Sequence, residues 1–586
     1  MPRYDSWSAR RTGWMHRVHA WRASRARAAT GFKSQPEPRT IGHFAKGRQL
    51  VAGNFLFAGH LVIEPDASVW DIDVPDDAFE QDLHGFGWLD DLAAVGDAKA
   101  CATAQDWAFQ WIDRYGPGKG PGWVPDLTGR RLMRWTHHAL FLLRGRDKVD
   151  SEKFYRSLAQ QTIFLSRRWK TTHSGLPRFQ TLTGLIYAGL SLEGMDAHVA
   201  PAVDALSRDC ASQIDEQGGI LTRNPEELLE VLSLLTWAAD ALTDSGQEPA
   251  AAHLEAIQRI APTLRVLRHS DGGLARFHGG GRGLEGRLDH ALAASGVKAT
   301  RAEGLSMGYA RISGGRTSVV VDASVPPAGA ASYNGHASTT AFELTSGRRP
   351  VIVNCGSGAV FGETWRRAGR ATPSHATLGI DGFSSSRLGP SRWVLGRQQE
   401  LLVDAPSDVP VEWSDVPDGV RLEVAQDGYR KTHGFTHART FELTFDGRAI
   451  AGEELLATLD DHDERIFDTR MDEVQLQGIP FSIRFHLHPD VDATLDLGGT
   501  AVSIALKSGE VWVFRQDGSA EMTLEPSVYL EKGRLRPRGS QQVVLSSRAM
   551  SYATRVRWSL AKAQETPNAI RDLHRDDEFD LGDPHG

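Results

Sequence analysis

The chain has 586 residues, of which 40% are hydrophobic and 24% are charged, as in ordinary globular proteins. This length exceeds the reach of a single hydrophobic core, so at least two domains are expected. The net charge of −8 and the three scattered cysteines argue against a nucleic-acid-binding protein, a disulfide framework and a thiolate zinc site.

The first segment, residues 1–49, is basic and carries Trp7, Trp14 and Trp21 at regular intervals. About two helical turns separate these positions, so a helix would present the three tryptophans on one face. Aromatic stripes of this kind usually pack against the body of a protein, and we expect that arrangement here. The alternative is a helix that lies on an anionic membrane surface or on an acidic protein.

The sequence offers neither a secretory signal peptide nor a membrane span. No apolar run reaches the ~20 residues that cross a bilayer. The basic N-terminal segment also lacks an apolar core followed by small residues at a cleavage site. We therefore expect a cytoplasmic protein, with association at the inner membrane through residues 1–49 left open.

Residues 50–300 are predicted to form a helical domain, because apolar residues recur at helical spacing through most of this region. The run Asn224-Pro225-Glu226-Glu227 is typical of a helix start, with a capping amide, a proline in the first turn and acids near the positive helix end. Consecutive helices joined by short loops predict an (α/α) toroid or stacked helical hairpins.

Residues 301–560 show a different period. Short runs alternate between polar and apolar residues and are separated by Asp-Gly and Gly-rich turns, which is typical of antiparallel strands. Many such strands predict a large antiparallel β-sandwich after the helical domain. Residues 561–586 are acidic and contain histidine, and we expect them to be disordered.

Three polar side chains are expected to meet in the sandwich. His336 precedes a strand, Asn354 ends the next β-rich run and His375 precedes a further strand. Neighbouring strands lie about 5 Å apart, so one sheet could gather these residues into a cluster that we expect to carry the function. Each histidine could instead be a buried sheet residue satisfied by backbone carbonyls.

Four motifs in this region resemble, in order and spacing, those of the heparinase II/III family of polysaccharide lyases. The family's His-x-His-x-Asp, Ser-Phe-x-Leu, Val-Asp-x-Gly and Ala-His-Asn-Thr with Asp-Gly correspond to Asn334-Gly335-His336-Ala337-Ser338, Ala341-Phe342-Glu343-Leu344, Val353-Asn354-Cys355-Gly356 and Ser374-His375-Ala376-Thr377 with Asp381-Gly382. The resemblance implies a helical toroid followed by a β-sandwich. It also implies cleavage of an acidic, uronate-containing polysaccharide or oligosaccharide by β-elimination.

Several positions depart from the family pattern. Asn334 replaces the first His, Ser338 replaces the Asp of the same motif and Asn354 replaces the Asp of Val-Asp. In the toroid, the family has an Asn-His pair and a Tyr-His pair where this sequence offers Leu176-Pro177 and Glu227-Leu228. These substitutions favour a second interpretation, a catalytically inactive glycan-binding or scaffold protein in envelope polysaccharide metabolism.

β-Elimination requires a group that neutralises the C5 carboxylate, a base for the C5 proton and an acid for the leaving oxygen. In this chain Asn334 and Arg370 could hold the carboxylate, and His336 or Tyr333 could handle the proton. A third interpretation is a hydrolase, or a lyase with a rearranged site, that uses Asn334, His336 and Glu227.

Further substrate contacts are expected from both halves of the chain. Arg223, Asn224 and Glu227 at the helix start could reach the substrate, since the positive end of a helix favours anions. Trp365 and Arg366 could form a sugar platform with an anion clamp. The alternatives are a plain helix cap at Asn224 and a solvated basic loop around Trp365.

The family resemblance also implies a metal ion in the β-domain, held by His336, Asn354 and His375. Two imidazoles and a neutral amide make a weak zinc site, because no anionic ligand is present. A structural or catalytic divalent ion such as zinc is therefore left open. If His336 is a ligand, it cannot also be the free base.

Overall fold

The computed structural model describes residues 7–26, 29–34, 37–299, 304–394, 397–564, 566 and 572. Its first half is helical apart from one hairpin. The elements are α1 (Trp7–Ala23), α2 (Phe44–Val51), β1 (Asn54–Phe57), β2 (His60–Ile63), α3 (Asp77–His84), α4 (Gly87–Val95), α5 (Ala98–Tyr115), α6 (Pro125–His137), α7 (Ala139–Leu143), α8 (Lys148–Arg168), α9 (Leu176–Ser191), α10 (Val199–Gln213), α11 (Pro225–Asp244), α12 (Ala251–Leu267) and α13 (Arg287–Ala294).

Helices α6 and α9 illustrate how this half packs. Gly129 of α6 faces Gly184 of α9, and a Cβ added to Gly129 would lie 2.6 Å from the carbonyl oxygen of Gln180. The absence of both side chains lets the two backbones approach closely. Large apolar side chains fill the remaining interior, among them the fully buried Trp88 and Trp135. The helical architecture predicted for the N-terminal region is confirmed.

The second half is built from antiparallel strands with three helices. The elements are β3 (Tyr309–Gly314), β4 (Thr317–Asp322), β5 (Phe342–Ser346), β6 (Arg349–Ile352), α14 (Glu363–Gly369), β7 (Leu378–Ile380), β8 (Arg387–Val394), β9 (Arg397–Val403), β10 (Val411–Val416), β11 (Gly419–Tyr429), α15 (Arg430–His433), β12 (Phe435–Thr444), β13 (Ala449–Ala457), α16 (Asp461–Glu473), β14 (Ile479–His486), β15 (Asp492–Asp496), β16 (Ala501–Ala505), β17 (Val511–Gln516), β18 (Glu521–Tyr529), β19 (Arg538–Ala549) and β20 (Ala553–Lys562).

These strands form several sheets. One has eight strands in the order β10-β11-β12-β13-β20-β17-β16-β15, and two have four strands, β3-β4-β5-β6 and β18-β19-β14-β7. Strand β12 shows why they pack face to face, because its residues alternate between buried and half-buried along its length. The predicted order of a helical toroid followed by a large antiparallel sandwich is confirmed.

The N-terminal helix α1 differs from expectation in the orientation of its tryptophans. Trp7, Trp14 and Trp21 are 77%, 58% and 50% exposed, so the prediction that they pack on the body of the protein is wrong. Helix α1 instead buries the opposite face, which carries His16 and Ala20. None of the described helices is long and apolar enough to span a bilayer.

Residues 561–586 were expected to be disordered, and most of them lie outside the described part of the chain. Strand β20 extends to Lys562, and Asp572 accepts hydrogen bonds from Arg348 and Arg349. Residues 565, 567–571 and 573–586 lie outside the described part of the chain.

A buried ion pair joins the two halves. Arg223, in the loop before α11, donates to Oδ1 of Asp322 at the end of β4, at 2.6 Å. Its other N–H groups donate to backbone carbonyls of Met307, Gly308 and Val325, in the segments on either side of the first sandwich hairpin. One guanidinium therefore fixes the helical domain against the sandwich.

We predict that Asp322→Ala lowers the free energy of unfolding by about 3–5 kcal/mol, because it leaves the Arg223 guanidinium buried without its counter-ion. Urea unfolding at neutral pH measures this. The matched control is Asp71→Ala, which removes the partner of Arg114 in an exposed pair and is expected to cost less than about 1 kcal/mol. Equal costs for the two variants would contradict the role of the Arg223–Asp322 pair.

Candidate functional site

The start of helix α11 lies at the junction of the two domains. The Asn224 side chain accepts hydrogen bonds from the backbone N–H groups of Glu226 and Glu227, at 3.0 and 3.2 Å. Asn224 is therefore a helix cap, as its sequence context indicates. The Glu226 carboxylate accepts from the N–H of Gly281 at 2.8 Å and pairs with Lys532 of the sandwich.

The next carboxylate on α11 meets the tyrosine of the sandwich motif. Tyr333, in the 3₁₀ turn Gly329–Asn334, donates its hydroxyl to Oε1 of Glu227 at 2.5 Å. The Thr222 hydroxyl donates to the other oxygen of Glu227 at 2.8 Å. Burial raises the pKa of Glu227, and these hydrogen bonds only partly oppose that effect. The structure thus brings Tyr333, Asn224 and Glu227 together, with Asn334 next in the chain.

The arginines predicted to hold a substrate carboxylate are used elsewhere. Arg370 is buried, and its guanidinium donates to the carbonyls of Gly335, Glu400 and Ser332 at 2.8–2.9 Å. Arg366 donates to the carbonyl of Tyr333 at 2.7 Å. Both guanidinium groups therefore hold the loop that presents Tyr333. Arg223 likewise donates its guanidinium hydrogen bonds to Asp322 and to backbone carbonyls.

The predicted pair His336 and His375 does come together, in the interior. Their ring centroids are 5.1 Å apart, and both side chains are buried. His278 is the third member of the cluster, since its Nδ1 accepts from the backbone N–H of His336 at 3.1 Å. Burial and neighbouring His375 hold the pKa of His336 well below its ordinary value, and burial lowers the pKa of His375 to about 3. The imidazoles are therefore neutral at physiological pH.

The Gly-rich segment that separates the domains in sequence supplies part of this region. His278 adopts a left-handed backbone conformation, and Gly279 follows with a φ of 85°. A Cβ on Gly279 would lie 2.8 Å from Cβ of Asn334, and one on Gly280 would lie 2.6 Å from Oδ1 of Asn224. Glycine is required where this loop passes between helix α11 and the Tyr333 loop. The sequence marks this Gly-rich segment only as the boundary between the domains, so it gives no sign that His278 joins the histidine cluster.

A cavity of about 810 Å³ opens between the helices and the sandwich. Its walls come from the β1–β2 hairpin, from α2, α4, α6, α11 and α13, and from residues 533–535 of the sandwich. Arg223, Arg370 and Trp365, which were expected to contact the substrate, do not line this cavity. Trp365 is half-buried in the short helix α14.

Most of the charges in this cavity are neutralised. Arg134 pairs with Asp90 at 2.8 Å, Arg39 pairs with Asp240 at 2.5 Å, and Arg287 pairs with Glu230. Lys46 differs, because it forms no ion pair with a carboxylate of the described residues, although its charge acts on Asp91 in the same cavity. The cavity therefore offers polar, mostly balanced walls with one lysine available to an anion.

The comparisons with known proteins agree with this architecture. The sequence profile described as Heparinase II/III-like, C-terminal, matches residues 297–559. FtsZ-localized protein C of Caulobacter vibrioides (strain NA1000 / CB15N) is 30% identical over 550 residues, which cover 91% of each chain. The chain belongs to the heparinase II/III-like family.

Solved structures share the family fold at low sequence identity. Heparinase III matches with a TM-score of 0.65 and 13% identity, over 92% of this chain and 88% of that one. A mutant heparan sulfate lyase from Pedobacter heparinus matches with a TM-score of 0.60 and 12% identity, over 95% and 89% of the two chains. The protein thus has a polysaccharide lyase-like fold.

The metal site implied by the heparinase II/III-like family does not fit this member's residues. Asn354 uses its amide oxygen to accept from the N–H of Ala376 at 3.0 Å, and its amide nitrogen lies 3.5 Å from Oε1 of Glu343. Within the described ranges, no group of three or more His, Cys, Asp or Glu side chains could hold a metal ion. The residues of the expected zinc site, His336, Asn354 and His375, therefore do not fit a metal ion, because the amide oxygen of Asn354 accepts from the backbone.

We predict that Asn354→Asp, which restores the aspartate of the heparinase II/III motif, destabilises the protein by roughly 2 kcal/mol or more at neutral pH. The new carboxylate would lie beside buried Glu343, and like charges at that distance repel. Urea unfolding measures the loss, which is expected to shrink in mildly acidic buffer as one carboxyl takes up a proton. A zinc-dependent rise in the melting temperature of the natural protein would contradict the assignment of Asn354.

A second prediction concerns Asp91, which lines the cavity. Burial raises its pKa from the ordinary value of 3.8 to about 6, so the folded state binds a proton that the unfolded state has released. Stability from this group is present below about pH 4 and is lost as the pH rises to about 6. Asp91→Asn keeps the acceptor for the His43 N–H and is expected to stabilise the protein by about 2 kcal/mol at neutral pH.

Thermal and urea unfolding of the Asp91 variant across this pH range test the prediction. The control is Asp113→Asn, an exposed carboxylate on α5, which is expected to leave the pH profile unchanged. If Asp91→Asn is less stable than the natural protein at neutral pH, the carboxylate is favourably ionised in the fold and the assignment is wrong.

Proposed function

We propose that this protein is a non-catalytic member of the heparinase II/III-like family that binds an acidic oligosaccharide and acts as a scaffold. One observation carries the proposal. The junction where the family performs β-elimination holds the Glu227 carboxyl group. The guanidinium groups of Arg223 and Arg370 are already hydrogen-bonded to Asp322 and to backbone carbonyls. When ionised, Glu227 repels the C5 carboxylate of a uronate, and Lys532, which acts electrostatically on Glu227, is already paired with Glu226.

The buried histidine cluster supports the same proposal. His336 is 3% exposed, so its imidazole is screened from any ligand at the junction. A general base must lie within hydrogen-bond reach of the proton that it takes. His336, which was expected to handle the proton, is thus better explained as part of a neutral core cluster.

The cavity between the domains supports ligand binding. Its volume lies within the range of small-molecule sites, and its walls combine apolar surface with paired charges. Lys46 on α2 lines it and is the group that we propose contacts an acidic sugar. The ligand class rests on the likeness to heparinase III and heparan sulfate lyase, whose names indicate sulfated acidic glycans.

The relative from Caulobacter suggests where such a scaffold acts. That protein is named for its localisation to FtsZ, and it matches this chain over nearly its whole length. We propose that this protein also localises with FtsZ. Imaging of a fluorescent fusion together with labelled FtsZ tests this part, and a uniform distribution of the fusion would overturn it.

The catalytic question is tested by ultraviolet absorbance of the double bond that uronate β-elimination creates. We predict no rise when the purified protein is incubated with a panel of acidic glycans, and calorimetric binding of at least one of them. Lys46→Glu is expected to weaken that binding at least tenfold, because it replaces an attraction by a repulsion. The control Lys99→Glu, at an exposed site on α5, is expected to leave it unchanged.

A second candidate, lyase activity, is favoured by the hydrogen bond between Tyr333 and Glu227. A carboxylate that accepts a phenolic proton could make the tyrosine a base, and Asn334 could neutralise the substrate through its amide. A rise in absorbance that Tyr333→Phe abolishes would establish this candidate and overturn the non-catalytic proposal. Absence of both the rise and any glycan binding would overturn the glycan-binding proposal and leave the scaffold role to the FtsZ imaging.

A further inference from the structure

Helix α1 exposes three tryptophans on one face, which is unusual for the surface of a globular protein. Trp7, Trp14 and Trp21 are at least half exposed, and they follow one line along the helix over about 21 Å. Contiguous apolar surface of this kind marks an interaction site more often than a structural accident. Tryptophan suits a boundary between water and an apolar phase, because its large ring carries one polar N–H.

Basic side chains lie on both sides of this tryptophan stripe. At about 100° per residue, Arg11 and Arg22 fall on one side of the line and Arg17 falls on the other, and all three are exposed. Arg25 stacks over Trp21, with Cζ 3.6 Å from the ring centroid. We call this outer face of α1, with its tryptophans and flanking arginines, the Trp–Arg face.

The charge around the Trp–Arg face is of one sign. Residues 6–36 contain seven Arg or Lys and no Asp or Glu, although the whole chain carries a net charge of −8. Exposed Arg167 on α8 adds to it, and burial together with the charges of Arg168 and Arg167 lowers the pKa of His19 on α1. An anionic surface would therefore attract this side of the molecule and orient it on approach.

The opposite face of α1 is held by the body of the protein. His16 accepts a hydrogen bond from Nε of Arg168 on α8 at 3.1 Å. Gln160 of α8 donates to the carbonyl of Ser24 at 3.0 Å. The tryptophans thus point outward on a helix that is already folded and fixed, so binding through them requires no ordering of the helix itself.

We infer that the Trp–Arg face is a docking surface for an anionic lipid bilayer. A bilayer interface offers apolar depth for a central line of tryptophans and phosphate groups for guanidinium groups on both sides. The tryptophans and arginines follow the outer face of one helix over about 21 Å, and an extended anionic surface can contact all of them at once. This inference goes beyond the proposed function, which concerns the interdomain cavity.

Sedimentation of the full chain with lipid vesicles tests the inference. We expect binding to vesicles of equimolar phosphatidylcholine and phosphatidylglycerol, weak binding to phosphatidylcholine alone, and release as salt is raised. The triple variant Trp7→Ala, Trp14→Ala, Trp21→Ala is expected to lower the partition coefficient at least tenfold. The matched control replaces Phe445, Leu459 and Leu476, which are about equally exposed on the sandwich, with alanine and is expected to bind normally.

The charge contribution is tested separately. Replacing Arg11, Arg17 and Arg22 with glutamine is expected to lower binding to anionic vesicles on the order of a hundredfold, about fivefold per charge. All substituted positions are exposed, and circular dichroism with a thermal melt checks that each variant is folded. Failure of the natural protein to sediment with anionic vesicles would overturn the inference. So would binding that the tryptophan variant retains, or tryptophan-dependent binding to acidic proteins without binding to vesicles.

Discussion

The buried contact of Arg223 with Asp322 is the constraint on which the rest of this architecture depends. It joins the loop before α11 to the end of β4, and the same guanidinium reaches carbonyls on both sides of the hairpin that opens the sandwich. A charge taken out of water is tolerated only when its partner and its hydrogen bonds are all in place. The relative position of α11 and the Tyr333 loop, and hence the contact of Glu227 with Tyr333, follows from that requirement.

Several buried arginines near the domain junction form internal contacts that stabilise the fold and are therefore not available to a ligand. Arg370 and Arg366 hold the turn that presents Tyr333, and Arg134 in the cavity is paired with Asp90 of α4. These guanidinium groups are therefore not free to neutralise the carboxylate of a substrate. The protein has a polysaccharide lyase-like fold, but the fold alone does not establish the chemistry.

Two surfaces in the described part of the chain carry the proposed interactions. The interdomain cavity presents Lys46 among balanced charges, and the outer face of α1 presents tryptophans flanked by arginines. The first suits a small polar ligand and the second suits an extended anionic surface. A scaffold that binds a glycan in one place and a bilayer in another would hold these two ligands at a fixed separation, because α1 packs firmly on α8.

Periodicity in the sequence determined the two domains, the start of α11 at Pro225 and the approach of His336 to His375, because each depends on local spacing or on motif order. Only the tertiary structure decided that Arg370 donates to backbone carbonyls and that the Asn354 amide accepts from the N–H of Ala376. It also decided that the tryptophans of α1 face solvent. The physical reason is that a period shows which residues share a face. It does not show whether that face, or a long charged side chain on it, meets water, a backbone carbonyl or a residue far away in the chain.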